Sequence, residues 1–162
     1  VVDLGFLSTS SAKDIPIEPL WRDPLLCIVP KGMKKEKDTD YMDIGEIRNH
    51  QFVTQRESTD ADIQNFLKEN SINIQSNYHV VDDLSTVAMV ANGFGICLMP
   101  QMVMRDIPYE VDCYPVQPYA ERVIGLATLH PEFLAPAVRS MYNHILENYK
   151  EDFSSKTKKS DI

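Results

Sequence analysis

The stretch of sequence that decides the fold is residues 78–100, YHVVDDLSTVAMVANGFGICLMP. It opens with a short apolar run that favours a strand, and Asp82 or Asp83 can then cap the N-terminus of a helix. The apolar face of that helix consists of Leu84, Val87, Ala88 and Ala91. Gly93 stands where a left-handed residue ends a helix, and a second apolar run follows up to Pro100. The stretch therefore predicts a strand–helix–strand unit.

Strand and helix patterns alternate on both sides of this unit. Apolar runs predict strands at residues 1–7, 25–29, 52–54, 111–116 and 123–129, and apolar periodicity predicts helices at residues 43–48, 58–70 and 136–149. The last helix begins at Pro136 and carries a stripe made of Val138, Met141, Tyr142, Ile145, Leu146 and Tyr149. Because alternating strands and helices favour parallel sheets, the sequence predicts an α/β protein with mostly parallel sheets.

The first predicted strand, residues 1–7, is almost continuously apolar, which is typical of a parallel strand buried on both faces. Parallel strands need neighbours joined by crossover connections, and none precedes this one, so we expect the chain to be a fragment. The alternative is a strand that begins its sheet. Prolines exclude a helix between the first two strands; they are Pro16, Pro19 and Pro24.

Composition excludes several classes of function. With 16 basic and 24 acidic residues among 162, the net charge of −8 argues against nucleic-acid binding by this chain. The longest apolar run, residues 25–29, is far shorter than the ~20 residues that span a bilayer, and no secretory leader opens the chain. An odd set of widely spaced cysteines, Cys27, Cys97 and Cys113, indicates reduced thiols in a cytoplasmic protein.

Catalytic and cofactor signatures are weak. The four histidines form no pair at helical spacing and no Cys-x-x-Cys occurs, so we expect no metal, and we interpret His79 as a core or sheet histidine. There is no Gly-x-Ser-x-Gly elbow. The Gly93-Phe94-Gly95 motif follows a helix and precedes a strand, which is the reverse of a dinucleotide fingerprint. The sequence predicts neither an enzyme nor a cofactor.

One segment indicates a ligand site. Thr54, Arg56 and Ser58 lie between a predicted strand and a predicted helix, where ligands bind in open α/β sheets and helix N–H groups attract anions. Ser8 and Thr9, also just after a strand, can form an opposing wall. The single Arg favours an anionic ligand such as a carboxylate or sulfate. The alternative is that the hydroxyls only cap the helix and Arg56 is a solvated side chain.

At residues 3–6, 19–30 and 83–100 the sequence resembles the effector-binding domain of LysR-type transcriptional regulators. The most specific part is Val90-Ala91-Asn92-Gly93-Phe94-Gly95-Ile96-Cys97-Leu98-Met99-Pro100, which is similar to that family's "lV.aGlGialLP" signature. The segment Arg122-Val123-Ile124-Gly125-Leu126-Ala127 and the closing amphipathic helix resemble its C-terminal portion. The resemblance extends over about residues 1–149.

This resemblance implies a fold like that of type 2 periplasmic binding proteins, with two α/β lobes around a small-molecule cleft. Lobe one would consist of residues 1–30 and 116–149 and would be incomplete, lobe two of residues 31–115, and residues 150–162 would be a disordered tail. The family's cleft positions fall on Ser8, on Thr54 and its loop to Ser58, and on Gly95 and Ile96. The family's N-terminal helix-turn-helix domain is not in this sequence.

The function that the resemblance implies is that of a sensor. The domain would bind a small, anionic effector and modulate DNA binding by the helix-turn-helix domain elsewhere in the regulator, with no reaction of its own. Because elements of lobe one are missing, we expect exposed apolar surface and a homo-oligomer. Two alternatives share the fold: a transporter's solute-binding protein, and an enzyme such as a dehydratase of amino-acid biosynthesis.

Overall fold

The structure is a computed structural model that describes residues 2–11, 14–55, 61–74, 76 and 78–151. Its strands are β1 (Gly5–Ser8), β2 (Ile17–Pro30), β3 (Met42–Asp43), β4 (Val53–Gln55), β5 (Tyr78–Val80), β6 (Cys97–Pro100), β7 (Val111–Gln117) and β8 (Glu121–Ala127). Its α-helices are α1 (Ile44–Ile47), α2 (Ala61–Glu69), α3 (Asp83–Ala91) and α4 (Pro136–Tyr149), and single 3-10 turns lie at Val103–Asp106 and Pro131–Phe133.

The chain forms two compact units. Unit one comprises the described residues up to Asp23 and from Arg122 onward, and unit two is Pro24–Glu121. The long strand β2 contributes its first half to unit one and its second half to unit two. The boundaries predicted from the sequence lie after residue 30 and before residue 116.

Unit two is built around the second half of β2. This half pairs antiparallel with β6 on one side and with β7 on the other, so that Ile28 lies opposite Cys97 and Cys113. β3 runs parallel to β7, and β4 runs parallel to β5. A parallel bridge also joins Phe52, the residue before β4, to Ile96, the residue before β6.

The two faces of β2 carry separate cores in unit two. Leu25 and Cys27 belong to one buried cluster with Phe66 and Leu67 of α2. Leu26 and Ile28, which alternate with these residues along β2, belong to a second buried cluster with Val87 and Val90 of α3. Side chains of successive strand residues point to opposite faces, which explains how one apolar run supplies both cores.

Unit one is smaller in its core. β1 pairs antiparallel with β8, and β8 lies next to β2. α4 packs on these strands, and the buried cluster consists of Leu20, Leu126 and Ile145. The Phe6 and Trp21 rings stack with their centroids 5.7 Å apart.

The helix ends confirm several sequence predictions. Asp82 caps α3, since its carboxylate accepts from the Ser85 N–H at 2.8 Å, and Gly93 has a φ of +80° just after that helix. α4 spans the predicted residues and begins at Pro136. Residues 58–60, at the start of the helix predicted over residues 58–70, lie outside the described residues.

The prediction of mostly parallel sheets is wrong, because the larger sheet is mixed and most of its described pairings are antiparallel, whereas the β4–β5 sheet is parallel. β1–β8, β2–β6 and β2–β7 are antiparallel. Burial on both faces does not determine strand direction: the second half of β2 is buried on both faces between antiparallel neighbours. β1, in contrast, is not buried on both faces, since Phe6 is 55% and Leu7 36% exposed.

Two further expectations need correction. β2 starts at Ile17 and runs through Pro19 and Pro24, so these prolines lie within a strand rather than in a connection. The predicted tail begins at residue 150, yet the Glu151 N–H donates to the Leu20 carbonyl at 2.9 Å and attaches the chain to β2. Residues 152–162 of the predicted tail lie outside the described residues.

Candidate functional site

Ser8 and Thr9 lie at the carboxyl end of β1 in unit one. The Ser8 hydroxyl is 3.0 Å from the Ser10 hydroxyl, and the Ser11 N–H donates to the Ser8 carbonyl at 3.0 Å. The Thr9 N–H donates to the Val123 carbonyl at 2.9 Å. These bonds fix the conformation of the turn after β1 and keep the hydroxyl groups of Ser8 and Ser10 close together.

Thr54 lies in the middle of β4, directly opposite His79 of β5. Its hydroxyl donates to the Tyr78 carbonyl at 3.2 Å and lies 3.2 Å from Nδ1 of His79. A hydroxyl has one proton and two lone pairs, so when it also accepts from His79 one acceptor position is left. His79 is a sheet histidine as predicted, but it is exposed rather than part of the core.

Arg56 and Ser58 lie outside the described residues. The described chain stops at Gln55 and resumes at Ala61, the first residue of α2. Their predicted convergence with Thr54 on one ligand therefore stays a prediction.

Gly95 and Ile96 participate in the sheet of unit two. The Ile96 N–H donates to the Gln51 carbonyl at 2.9 Å, its carbonyl accepts from the Val53 N–H at 2.9 Å, and its side chain is buried. Gly95 has a φ of +149°, and a Cβ there would lie 2.4 Å from the Gln51 carbonyl oxygen. Only glycine fits this close approach. A ligand contact at these two residues stays a prediction.

A cavity of about 520 Å³ lies in unit two between α2 and the segment that joins β7 to β8. It is lined by Leu25, Asp62, Asn65, Phe66, Glu69, Asn70, Pro118, Tyr119, Ala120 and Glu121. Its volume is in the range of small-molecule sites. In the part of the chain that the structure describes, the lining has three carboxylates and no Lys, Arg or His. The Tyr119 hydroxyl donates to Glu121 at 2.7 Å. Such a lining disfavours an anion. No local sequence pattern predicts this cavity, because its two walls are about 50 residues apart in the chain.

The thiols are poor candidates for catalysis. Cys27, Cys97 and Cys113 are free, and burial raises the pKa of the Cys27 and Cys97 thiols well above the ordinary value. A thiol held in the protonated form is a weak nucleophile.

The described residues contain no group of three or more His, Cys, Asp or Glu side chains placed to hold a metal ion. In the same part of the chain no helix has the length and apolar character that crossing a bilayer requires.

Comparison with known proteins identifies relatives of this arrangement. The family model of the LysR substrate binding domain matches residues 1–150. A curated protein of Synechococcus elongatus, the probable HTH-type transcriptional regulator LrrA, is 24% identical over 139 residues, which are 85% of this chain and 46% of that protein. The chain thus spans about half the length of that relative.

Solved structures show the same fold. The effector binding domain of QuiR in complex with shikimate has a TM-score of 0.76 at 22% identity, covering 90% of this chain and 70% of that chain. The regulatory domain of CcmR from Synechocystis PCC6803 in complex with 2-PG has a TM-score of 0.77 at 16% identity, covering 93% and 74%. Full-length CbnR complexed with target DNA has a TM-score of 0.72 at 15% identity, covering 90% and 52%. These likenesses confirm the predicted type 2 periplasmic-binding-protein-like fold.

Proposed function

The chain belongs to the LysR substrate binding domain family, and from that premise we propose that it is the effector-sensing domain of a LysR-type transcriptional regulator. It binds a small molecule and modulates DNA binding by a helix-turn-helix domain in another part of the full-length protein. The match of the family model to residues 1–150 carries this proposal. The relatives reported above are regulators, and they favour this function over that of a transporter's solute-binding protein.

The effector in this proposal is an anion such as a carboxylate. Arg56 supplies the charge, and the hydroxyls of Ser8, Thr9, Thr54 and Ser58 supply neutral hydrogen bonds. Shikimate, the ligand of the QuiR domain, is itself a carboxylate. The acidic cavity beside α2 is unsuited to such a ligand, because Asp62, Glu69 and Glu121 would repel it.

The remaining parts of the proposal concern the whole protein. The regulator works in the cytoplasm, where DNA is available to it, and this domain carries out no reaction. It self-associates through apolar surface of unit one, where Phe6 and Met141 are each 55% and Phe133 is 81% exposed. Patches of this kind promote association.

The test uses the full-length regulator, a DNA fragment from its own promoter and a panel of carboxylates, with sulfate as a simple anion. We expect at least one carboxylate to change the mobility shift of the DNA and to raise the melting temperature of the protein. Arg56→Ala should weaken that effector roughly ten- to a hundred-fold, since a charge-assisted hydrogen bond contributes about 1.5–3 kcal/mol. Thr54→Val should weaken it less, because a neutral bond contributes about 1 kcal/mol.

Arg105→Ala is the matched control, since Arg105 is an exposed arginine of unit two in a 3-10 turn far along the chain from Arg56. Equal affinities of Arg56→Ala and Arg105→Ala would remove Arg56 from the site. A regulator whose DNA binding responds to no small molecule would contradict the sensor function itself.

A further inference from the structure

A second cavity of unit two has the opposite character to the acidic one. Its volume is about 310 Å³, and it lies between the turn after α1 and the segment after α2. It is lined by Arg48, Asn49, His50, Gln51, Phe52, Ile72, Asn73 and Ile74. Phe52 and Ile72 are buried and form an apolar floor. Among the described residues, the lining contains a permanent cation, three carboxamides and an imidazole, but no carboxylate.

Arg48 is anchored at the rim of this cavity. It is the C-cap residue of α1, and its Nη2 donates to the Asn70 carbonyl at the end of α2. This bond uses one of the five N–H donors that a guanidinium carries. The side chain is thus held in one place with its charge beside the cavity, which lowers the entropy lost when it binds a ligand.

The other polar groups add donors around the same space. Asn49 Nδ2 donates to Glu36 Oε1 at 3.3 Å, and Gln51 Nε2 donates to the Phe52 carbonyl at 3.2 Å. The Asn49 amide nitrogen has two protons, so its bond to Glu36 occupies one of them. Asn73 is exposed at the opposite wall.

His50 has an unusual feature in this wall. Its Nε2 is enclosed by protein atoms and has no hydrogen-bond partner among the described residues. Buried polar atoms are normally paired, and an unpaired one calls for an explanation such as a ligand. The residue also lines the cavity, so we expect Nε2 to pair with an oxygen of a ligand bound there.

We propose that this cavity binds a small oxyanion, either a phosphate or a carboxylate group of a metabolite. Oxyanions accept several hydrogen bonds at once, and a guanidinium with nearby amides is the donor set that suits them. Of the predicted effector residues that the structure describes, which are Ser8, Thr9, Thr54, Gly95 and Ile96, none lines this cavity, and we therefore treat it as a site additional to the proposed effector site. The Glu36 carboxylate accepts from Asn49 of the lining, and its negative charge limits the affinity.

The first test is an NMR titration of the 162-residue chain with inorganic phosphate and, separately, malonate, against sodium chloride at the same ionic strength. We expect phosphate or malonate, and not chloride, to shift the backbone amide signals of residues 48–51 and 73. The stronger of the two ligands identifies the oxyanion class. Shifts that map elsewhere, or that chloride reproduces, would overturn the proposal.

Arg48→Met should weaken the binding at least tenfold. The matched control is Arg139→Met on α4, because Arg139 Nη2 also donates to a main-chain carbonyl, that of Glu132 at 3.0 Å. The control should bind like the wild type. Equal losses in both variants would show a general effect of lost positive charge and contradict a site at Arg48.

Two further variants keep Arg48 and its anchor. Glu36→Gln removes the nearby negative charge but keeps an oxygen that accepts from Asn49, so it should tighten binding several-fold. Asn73→Asp adds a negative charge to the wall and should abolish binding. If Arg48→Met does not fold, these two decide: unchanged affinity in both would overturn the proposal. Arg56→Ala should leave this site unaffected, which separates its failure from that of the effector site.

Discussion

Ile28 in unit two and Ile145 in unit one are both core isoleucines, but their surroundings differ. Ile28 is fully buried between β6 and β7 and belongs to the cluster under α3. Ile145 retains 6% exposure, and its cluster has only two other buried members, Leu20 and Leu126. The isoleucine side chain thus lies in a larger buried cluster in unit two than in unit one.

The difference extends to the surface of each unit. On α4 of unit one, Met141 and Tyr149 belong to the predicted apolar stripe, yet each is 55% exposed. β1 pairs only with β8 among the described strands and leaves its outer edge open. Apolar periodicity therefore predicts which face of a helix is apolar, but not how much of that face is covered. We expect unit one to be the less stable of the two.

The largest effect on stability is expected when the same substitution, isoleucine to alanine, is made in the core of each unit. Ile→Ala costs about 2–5 kcal/mol, and the cost increases with the cavity that remains. Ile28→Ala should lower the unfolding free energy of unit two by about 4–5 kcal/mol, and Ile145→Ala that of unit one by about 2 kcal/mol. Native-state hydrogen exchange of amides in β6 and β8 measures the two units separately.

An independent probe is available for unit one. Trp21, the only tryptophan of the chain, lies in the first half of β2. On addition of urea, its fluorescence should change before the circular dichroism signal of the whole chain is lost. Coincident transitions, or equal costs of the two Ile→Ala variants, would mean that the units do not differ in stability.

A buried ion pair is the next largest expected effect, and it belongs to unit one. Arg122 Nε donates to Asp23 Oδ2 at 2.8 Å, and the Asp23 side chain is completely buried while that of Arg122 is 20% exposed. Removing one partner of such a pair leaves the other charge without compensation. Asp23→Asn should therefore destabilise unit one by about 3 kcal/mol, more than Ile145→Ala does.

The control for the ion pair is Lys31→Met in unit two. Lys31 Nζ also lies 2.8 Å from a carboxylate, that of Asp112, but its side chain is 64% exposed. Solvent screens a pair of this kind, so we expect only a small change in stability. A small effect of Asp23→Asn as well would show that unit one is held by apolar contacts rather than by its ion pair.

Local signals in the sequence predicted the elements well. The position of Asp82 before an apolar stripe predicted α3 and its cap, and Pro136 predicted the start of α4. These predictions succeeded because a cap, a first-turn proline and a left-handed glycine act within a few residues of the chain. The fold class followed from the order of such elements and from the resemblance to a family.

Long-range features could not be predicted in the same way. The direction of β2 relative to β6 and β7 depends on residues about 70–90 positions apart, and the apolar pattern of β2 is equally compatible with parallel neighbours. The exposure of His79 depends on which face of the β4–β5 sheet is covered by α3, and Val53 and Val80 of that sheet pack in the cluster of α3. Both cavities combine walls from distant segments, so their opposite charges were not evident from any single stretch.

The smallest expected effect concerns acid. Three aspartates of unit two have a lowered pKa: the Gly45 N–H and then Lys37 lower the pKa of Asp43, the Ser85 N–H and hydroxyl lower that of Asp82, and Lys31 and then the Gly32 N–H lower that of Asp112. A carboxylate with a lower pKa in the folded state stabilises the fold above its unfolded pKa of about 4, and this contribution is lost as pH falls through the folded value. Unit two should therefore lose stability below about pH 4.

Asp82→Asn makes the test specific, because Asn caps a helix about as well as Asp but does not titrate. In urea unfolding, the variant should have the same unfolding free energy as the wild type at pH 6 and lose less of it at pH 3. Asp106→Asn, at an exposed aspartate of the same unit, is the control and should respond to acid like the wild type. An acid response of Asp82→Asn identical to the wild type's would show that the cap of α3 does not contribute to acid sensitivity, and the acid sensitivity of unit two would then rest on Asp43 and Asp112.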